Sequence, residues 1–421
     1  MVGAAVFACG LALMLVPPHG CNAVPLAVAC LWRWPPPVQS WLHRRLGLGR
    51  RVLDVDGFAL AAVAAAVSLA TGGQLDGHLV HGGDFQTYWL GATVGTHHGW
   101  SRLFDEQVQQ AVWPGVAGAG VPFLPFLNTP PMAWLVVPLL ALPYGAAYGV
   151  WVLLMTLCAV VVVVLVVPPR WLPAAGLLSL GLWVTPYTLA SGQNALLGAL
   201  AVVATWRLLR AGRTGWAGLA LSLVDLRPTA TLLVPVALLL AGYRRTFLIW
   251  LGVTAAIGLL SAWSLGPGGL QQFVQLAVDV RRSHPHAQDM TLLGWLGPGP
   301  VTLALEGVLV LAALAAAWRL GRTADVAIAA GVLASLFATP YIHAQDYVTV
   351  IAAAGAMASS TARASFGLLI VAIFAAAPPG WIYGATWEGV LLAVEVAWLV
   401  WLVWPTLEKG GIVRRWATAR S

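Results

Sequence analysis

Charge is what this 421-residue sequence has least of: 9% of its residues are Asp, Glu, Lys or Arg, against roughly a quarter in an ordinary soluble domain. That scarcity excludes a soluble globular enzyme. Lysine is nearly absent, one against 21 arginines. The four cysteines, Cys9, Cys21, Cys30 and Cys158, lie in apolar stretches without metal-type spacing. Each reads as a small buried hydrophobe, and no disulfide framework is implied. There is no Walker loop, no Gly-rich nucleotide fingerprint after a strand and no His-Glu-x-x-His, so nucleotide-driven and zinc-protease chemistry have no support. What abounds is apolar: 60% hydrophobic residues, mean hydropathy +0.83 and 22 tryptophans. This excludes disorder and describes an integral membrane protein, with Trp gathered at the membrane-water interfaces. The net charge of +7 does not mark a nucleic-acid surface, because the arginines are scattered between apolar runs rather than clustered on one face.

A spanning helix needs about 20 largely apolar residues, since the hydrocarbon layer is about 30 Å thick and each residue rises about 1.5 Å. About twelve candidate spans follow residue 50: 57–73, 145–167, 173–189, 195–209, 215–224, 229–240, 246–265, 301–318, 324–338, 347–358, 365–377 and 387–404. The expected fold is therefore all-α and integral to the membrane. Several spans are too short to cross alone. Residues 224–229 read as the tip of a broken hairpin, tolerable in a bilayer only where protein or water satisfies the freed backbone. The proline-bounded segment 131–143 reads as re-entrant or interfacial. Residues 1–50 form an apolar extension, split by Pro17 and Pro18, with a basic segment behind it. The extension fits a signal peptide poorly, lacking a basic n-region, and reads as an extra hairpin or as sequence upstream of the natural start codon. Residues 51–421 read as a single polytopic domain.

Basic residues in short loops are retained on the cytoplasmic side. With Arg44, Arg45, Arg50 and Arg51 inside, eighteen of the 22 basic residues fall inside. Arg102, Arg281 and Arg282 fall outside, and Arg227 lies within the membrane. Two long loops, 81–129 and 266–300, then face outward and carry most of the polar residues worth explaining.

The first of these loops contains Gly83-Asp84-Phe85, Tyr88-Trp89 and Leu103-Phe104-Asp105. A carboxylate beside aromatics at the membrane surface can act as a general base on a sugar hydroxyl if it comes within about 3 Å of that oxygen. Asp84 equally fits the N-cap of an interfacial helix starting at Phe85. Asn128-Thr129-Pro130-Pro131 sets the start of a helix. Ser191-Gly192-Gln193-Asn194 offers amides that can bind sugar hydroxyls, or is a polar turn between helices. Arg227 sits between Asp225 and Pro228. At membrane depth an ionisable residue is by default a functional candidate. Its guanidinium suits phosphate, and its alternatives are an ion pair with Asp225 or snorkelling to the interface. The second outer loop holds Arg281, Arg282, His284 and His286, and its tetrapeptide His-Ala-Gln-Asp recurs at His343 to Asp346. A zinc site there has no defined third and fourth ligand. His343 stands at a helix end on the side of Asp84, placed to orient a base, to contact a leaving phosphate, or to serve a structural hydrogen bond.

The order of these motifs resembles the polytopic type C glycosyltransferases, and within them glycosyltransferase family 87, the polyprenol-phosphate-mannose-dependent mannosyltransferases. The carriers are Gly83-Asp84-Phe85 with Tyr88-Trp89, Leu103-Phe104-Asp105, Pro130-Pro131 with Pro138 and Leu142-Pro143, Gly192-Gln193-Asn194, Leu226-Arg227-Pro228 before Arg244-Arg245, and Pro340-Tyr341 with Asp346-Tyr347. The similarity runs from about residue 55 to 380. It implies an inverting, membrane-embedded transferase that takes a sugar from a lipid-linked donor on the outer face, with Asp84 as base. The family pattern often has Lys where this chain has Arg227, and Tyr-Pro-Pro where it has Asn128-Thr129-Pro130-Pro131.

The expectation is a hexosyltransferase of the cell membrane, in a bacterial plasma membrane, with its site facing outward. Its partners are a polyprenyl-phosphate sugar, a glycolipid or glycan acceptor, and membrane lipid. Asp84 is the catalytic residue. Tyr88, Trp89, Gln193, Asn194, Arg227, Arg281, Arg282, His343 and Asp346 are the substrate-binding set, with no cofactor or metal required. The rival class is a transporter or lipid flippase, whose polar sites belong near the midplane between internal repeats. A third possibility is a catalytically dead scaffold of the same fold.

Overall fold

The computed structural model describes residues 83–167, 184–283, 290–321, 323–358 and 385–409, with the single positions 179 and 182. Residues 1–50, the spans at 57–73 and 365–377, much of 173–189, and the first His-Ala-Gln-Asp copy lie outside them. Every element among the described residues is helical. In chain order these are α1 (Gly83–His97), α2 (Glu106–Ala117), α3 (Pro130–Val136), α4 (Tyr144–Val166), α5 (Val184–Ser191), α6 (Ala195–Arg210) and α7 (Thr214–Leu221). There follow α8 (Val234–Leu240), α9 (Arg244–Ser283), α10 (Leu292–Leu296), α11 (Pro300–Leu320), α12 (Ala324–Ala338), α13 (Tyr347–Ala358) and α14 (Ala385–Lys409).

Three helices are long and apolar enough to cross a membrane: α4, residues Arg244–Arg282 of α9, and α11. α4 shows how they meet their surroundings. Its buried residues, Ala147, Trp151, Met155 and Cys158, recur at helical spacing along one stripe. Leu153, Leu157, Val160 and Val164 on the other faces are each more than half exposed. Leu259 and Trp263 of α9 and Val301, Leu303, Val308 and Leu311 of α11 are similarly bare. Apolar surface this continuous is stable against lipid and not against water. The protein is a membrane protein.

The expected outer loop from 266 is helical through Ser283. α9 breaks at Gly266 (φ 63°), before Pro267. Pro267 has no N–H to continue the ladder. The chain then resumes an amphipathic helix, in which Phe273 meets Phe104 at 4.7 Å between ring centroids and Leu276 is buried. Local apolar spacing thus outweighed the polar residues that read as loop.

The centre of the bundle is α12, rich in Ala and buried along nearly its whole length. Small residues let neighbouring backbones close in. At Gly331 an added Cβ would lie 2.7 Å from Val234 Cα and 3.0 Å from Ala237 Cβ. α6 leads away from residue 194 and α7 returns to residue 227. α8 leads away again and α12 returns to residue 339. Two ends result, one gathering the turns at 191–194, 227–229 and 339–346, the other the turns at 211–213 and 241–243.

Replacing Gly331 by Val is expected to overpack the α8–α12 contact and destabilise the fold by about 1–3 kcal/mol, read as a lowered midpoint of thermal unfolding in detergent.

Candidate active site

Three chain breaks build the site. The first is the α5–α6 turn. Gly192 has φ +74°, and a Cβ there would lie 2.6 Å from Phe85 Cβ. Only glycine fits a left-handed turn pressed this closely on the start of α1. From α4, the Trp151 indole donates to Gly192 O (2.8 Å) and the Tyr148 hydroxyl to Ala190 O (2.7 Å). Gln193 is thereby held beside Asp84.

The second break lies between α7 and α8. Residues Ser222–Leu226 tighten into a 3₁₀ turn, and Arg227 leaves helical conformation (φ −148°, ψ 80°), as the residue before a proline is driven to do. The freed carbonyls find donors inside the protein, as buried backbone groups must. Asn194 Nδ2 donates to Leu226 O (2.9 Å), Thr129 Oγ1 to Asp225 O (3.2 Å), Thr231 Oγ1 to Arg227 O (3.0 Å) and Thr339 Oγ1 to Thr229 O (2.7 Å).

The third is the short 3₁₀ turn Ala344–Asp346, closed by a reciprocal capping box. The His343 side chain accepts the Asp346 N–H, and the Asp346 side chain accepts the His343 N–H, the latter at 3.1 Å to Oδ2.

Arg227 joins the three. Its Nε and Nη2 reach Asp346 Oδ1 at 2.9 and 2.8 Å, and its Nη1 donates to Gln193 Oε1 at 2.9 Å. Thr229 Oγ1 adds a further donor to Asp346 Oδ1 at 2.7 Å. Gln193 Oε1 also accepts from the Tyr88 hydroxyl (3.1 Å), which contacts Asn194 Oδ1 as well (3.2 Å). With its oxygen taken by two donors, the Gln193 amide turns its nitrogen to the Asp84 carboxylate, which also has the Ser191 hydroxyl beside it.

Asp84, Thr87, Tyr88, Gln193, Arg227, Asn128 and Tyr341 surround a cavity of about 130 Å³, closed on one side by Leu124, Pro125 and Leu127. α1 is not among the spanning helices. Within it, Asp84 and Tyr88 sit one turn apart on the same face. Burial pushes the Asp84 carboxyl up to about 6, against the lowering pull of the Arg227 charge and of hydrogen bonds from Gln193 and Ser191. A carboxylate poised there accepts a proton near neutral pH far more readily than an ordinary one.

The structure places the remaining expected site residues as follows. Arg227 pairs with Asp346 and not with Asp225. Asp225 instead accepts from the Trp250 indole (3.3 Å) and Thr254 hydroxyl (2.5 Å) of α9. Asp346, expected to touch substrate, is buried and filled with donors, so it is the counter-ion of Arg227. Asn194 is fully buried, and both ends of its amide are engaged inside the protein, Nδ2 also meeting Met132 Sδ at 3.2 Å. His343 caps a turn and does not line the cavity. Trp89 packs edge-on against Tyr144 at 5.5 Å, and beside Phe85, off the Asp84 face. Arg281 reaches Pro340 O (3.1 Å), next to the cavity residue Tyr341, while Arg282 is exposed; neither lines the cavity. Sequence reasoning missed Thr87, one turn from Asp84, as well as Thr229 and Tyr341. Thr87 had a signal in its helical spacing, and Tyr341 in the Pro340-Tyr341 pair that the resemblance rests on; Thr229 had none.

A carboxylate, a guanidinium and amide and hydroxyl groups thus share one cavity in a helical membrane protein. The model of glycosyltransferase family 87 matches residues 126–342, just over half of the chain. The chain belongs to glycosyltransferase family 87. It is a membrane glycosyltransferase, with a sugar donor and an acceptor as its substrates. The matched segment holds Asn128, Gln193, Arg227 and Tyr341 of the cavity, while Asp84 precedes it. No curated protein and no solved structure matches the chain.

Substituting Asp346 by Asn is expected to leave the Arg227 guanidinium buried without its counter-charge. The cost is about 3–5 kcal/mol, measured as loss of thermal stability in detergent.

Proposed function

We propose that the enzyme transfers a sugar, mannose, from a polyprenyl-phosphate donor to a hydroxyl of a glycolipid or glycan acceptor, with inversion, at the outer face of a bacterial plasma membrane. Asp84 is the general base. Its carboxylate takes the proton of the acceptor hydroxyl. The oxygen attacks the anomeric carbon from the face opposite the phosphate, and the C–O bond to phosphate breaks with its electron pair leaving on the lipid phosphate. One base suffices, because the leaving group is already a stable anion. Arg227 faces the same cavity and offsets the charge that grows on the departing phosphate. Gln193, Tyr88 and Asn128 offer hydrogen bonds to sugar hydroxyls. No step calls for a nucleotide or a metal.

The observation that carries this reading is the shared cavity of Asp84 and Arg227, a base and a phosphate-matched cation joined through Gln193. The outward face rests on the arginine count by loop. The six described arginines at the turns 207–213 and 244–245 and at residue 319 lie at the end away from the cavity. Family membership favours transfer over transport. The identity of the sugar and of its lipid carrier rests on the resemblance.

In nanodiscs supplied with polyprenyl-phosphate mannose and a membrane glycolipid extract, Asp84→Asn is expected to lower transfer by about 10²-fold or more with donor binding retained. Unchanged transfer would move the base elsewhere. For the wild type, kcat/KM is expected to rise with pH through about 6, where Asp84 loses its proton, and to level above it. Gln193→Leu removes a hydrogen bond that stabilises the carboxylate form, so its rising limb is expected at higher pH than that of the wild type. A limb that stays in place would show that Gln193 does not act on the base.

A further inference from the structure

The end of the bundle away from Asp84 has an opening of its own. α6 leaves the active site for 16 residues, about 24 Å at 1.5 Å per residue, before the turn at Gly212 and Arg213 starts α7. α8 descends the same way to the start of α9. Between the first turns of α7 and α9 lies a cleft of about 420 Å³, lined by Arg213, Thr214, Gly215, Trp216 and Arg245 together with Ile249.

The cleft is built by close helix contact. Thr246 Oγ1 donates to Thr214 O (3.0 Å), and a Cβ on Gly218 would stand 2.7 Å from Thr246 O, so the helices touch below the opening. The Arg245 guanidinium passes beside Gly215, its Nη2 and Nε standing 3.8 and 3.9 Å from where a Cβ would lie, in ordinary van der Waals contact. Leu219 and Trp216 form the rim, with Trp216 65% exposed.

Among the described residues nothing neutralises the two guanidiniums. Among the described residues the ion pairs are Arg102 with Asp105 and Arg227 with Asp346, and neither Arg213 nor Arg245 has a carboxylate partner. The one carboxylate whose side chain is described at this end is Asp325, buried and held by the Trp206 indole. Arg210 lies over the Trp206 ring at 5.1 Å. Two guanidiniums sharing a cleft at the boundary of an apolar bundle call for an anion, and their planar forks match phosphate oxygens. Basic pockets between membrane helices hold anionic lipid headgroups, and an exposed Trp beside one sits at headgroup level.

We propose that the α7–α9 cleft binds the phosphate of a net-anionic membrane phospholipid, with Arg213 and Arg245 on its oxygens and Trp216 at the headgroup level. The site is separate from catalysis and requires only that the chain lie in a membrane. A zwitterionic lipid is disfavoured there because its ammonium would meet the same two arginines.

The test is thermal unfolding of the full chain in detergent, titrated with phosphatidylglycerol, phosphatidylcholine or inorganic phosphate. It compares the wild type, Arg213→Gln/Arg245→Gln, and Arg207→Gln/Arg319→Gln, whose arginines are exposed at the same end outside the cleft. Phosphatidylglycerol is expected to raise the midpoint of the wild type and of the second pair. The cleft pair is expected to need at least tenfold more lipid, and phosphatidylcholine to act on none. All three proteins are expected to unfold alike without added lipid, and native mass spectrometry to show bound phosphatidylglycerol on all but the cleft pair. An undiminished response in the cleft pair, or an equal loss in both pairs, would overturn the site. An equal, arginine-dependent response to inorganic phosphate would overturn its assignment to lipid.

Discussion

The pairing of Arg227 with Asp346 is the constraint on which the site depends. Two charges in an apolar bundle carry a desolvation cost of several kcal/mol each unless their hydrogen-bonding capacity is filled. Here Asp346 Oδ1 accepts from Arg227 and Thr229, and Oδ2 from the His343 backbone. That saturation fixes the guanidinium plane. Its remaining edge then points at Gln193 Oε1, which forces the Gln193 nitrogen toward Asp84. The chain break at Arg227, a capped turn 119 residues away and the Asp84 carboxylate are thus one hydrogen-bonded unit. The broken hairpin is the device that brings a guanidinium into the bundle, and the threonines around it supply the donors that its carbonyls would otherwise lack.

Burial serves the chemistry differently at the two carboxylates. Asp346 is surrounded by donors and paired with Arg227. Asp84 has fewer partners and faces a cavity, so desolvation outweighs them and lifts its proton affinity toward the working range. The aromatic packing of Phe85 on Trp151 (5.5 Å) and Tyr148 (5.8 Å) holds the first turn of α1 in place beneath them.

Much of the helical content was legible from apolar runs bounded by Pro, Gly and Arg: α4, α6, α11 and α12 begin and end within a few residues of the expected spans, and the break at Arg227-Pro228 falls where the sequence put it. The helix beyond Gly266 was not, because the polar residues of 270–283 conceal an apolar stripe that matters only once Phe104 is there to receive Phe273. At the site, Asp84, Tyr88, Gln193 and Arg227 could be singled out by residue type and order. The duties of Asn194, His343 and Asp346 could not, since whether a polar side chain is free or already saturated is a property of its neighbours in space. Trp89, next to Tyr88 in sequence, points about 100° away from it on a helix, and its ring packs on Tyr144 and Phe85.

Among the described residues the bundle has two chemically distinct ends, a cavity shared by Asp84 and Arg227 at one and an arginine-rich, carboxylate-poor surface at the other, separated by the length of α6. The most direct test of the central claim is a structure of the enzyme in nanodiscs with a non-hydrolysable polyprenyl-phosphate sugar bound. The account predicts the phosphate within hydrogen-bonding distance of the Arg227 guanidinium and the anomeric carbon open toward Asp84 on its opposite face. A donor whose sugar lies outside the cavity, or whose phosphate sits on the Asp84 side of the anomeric carbon, would contradict it.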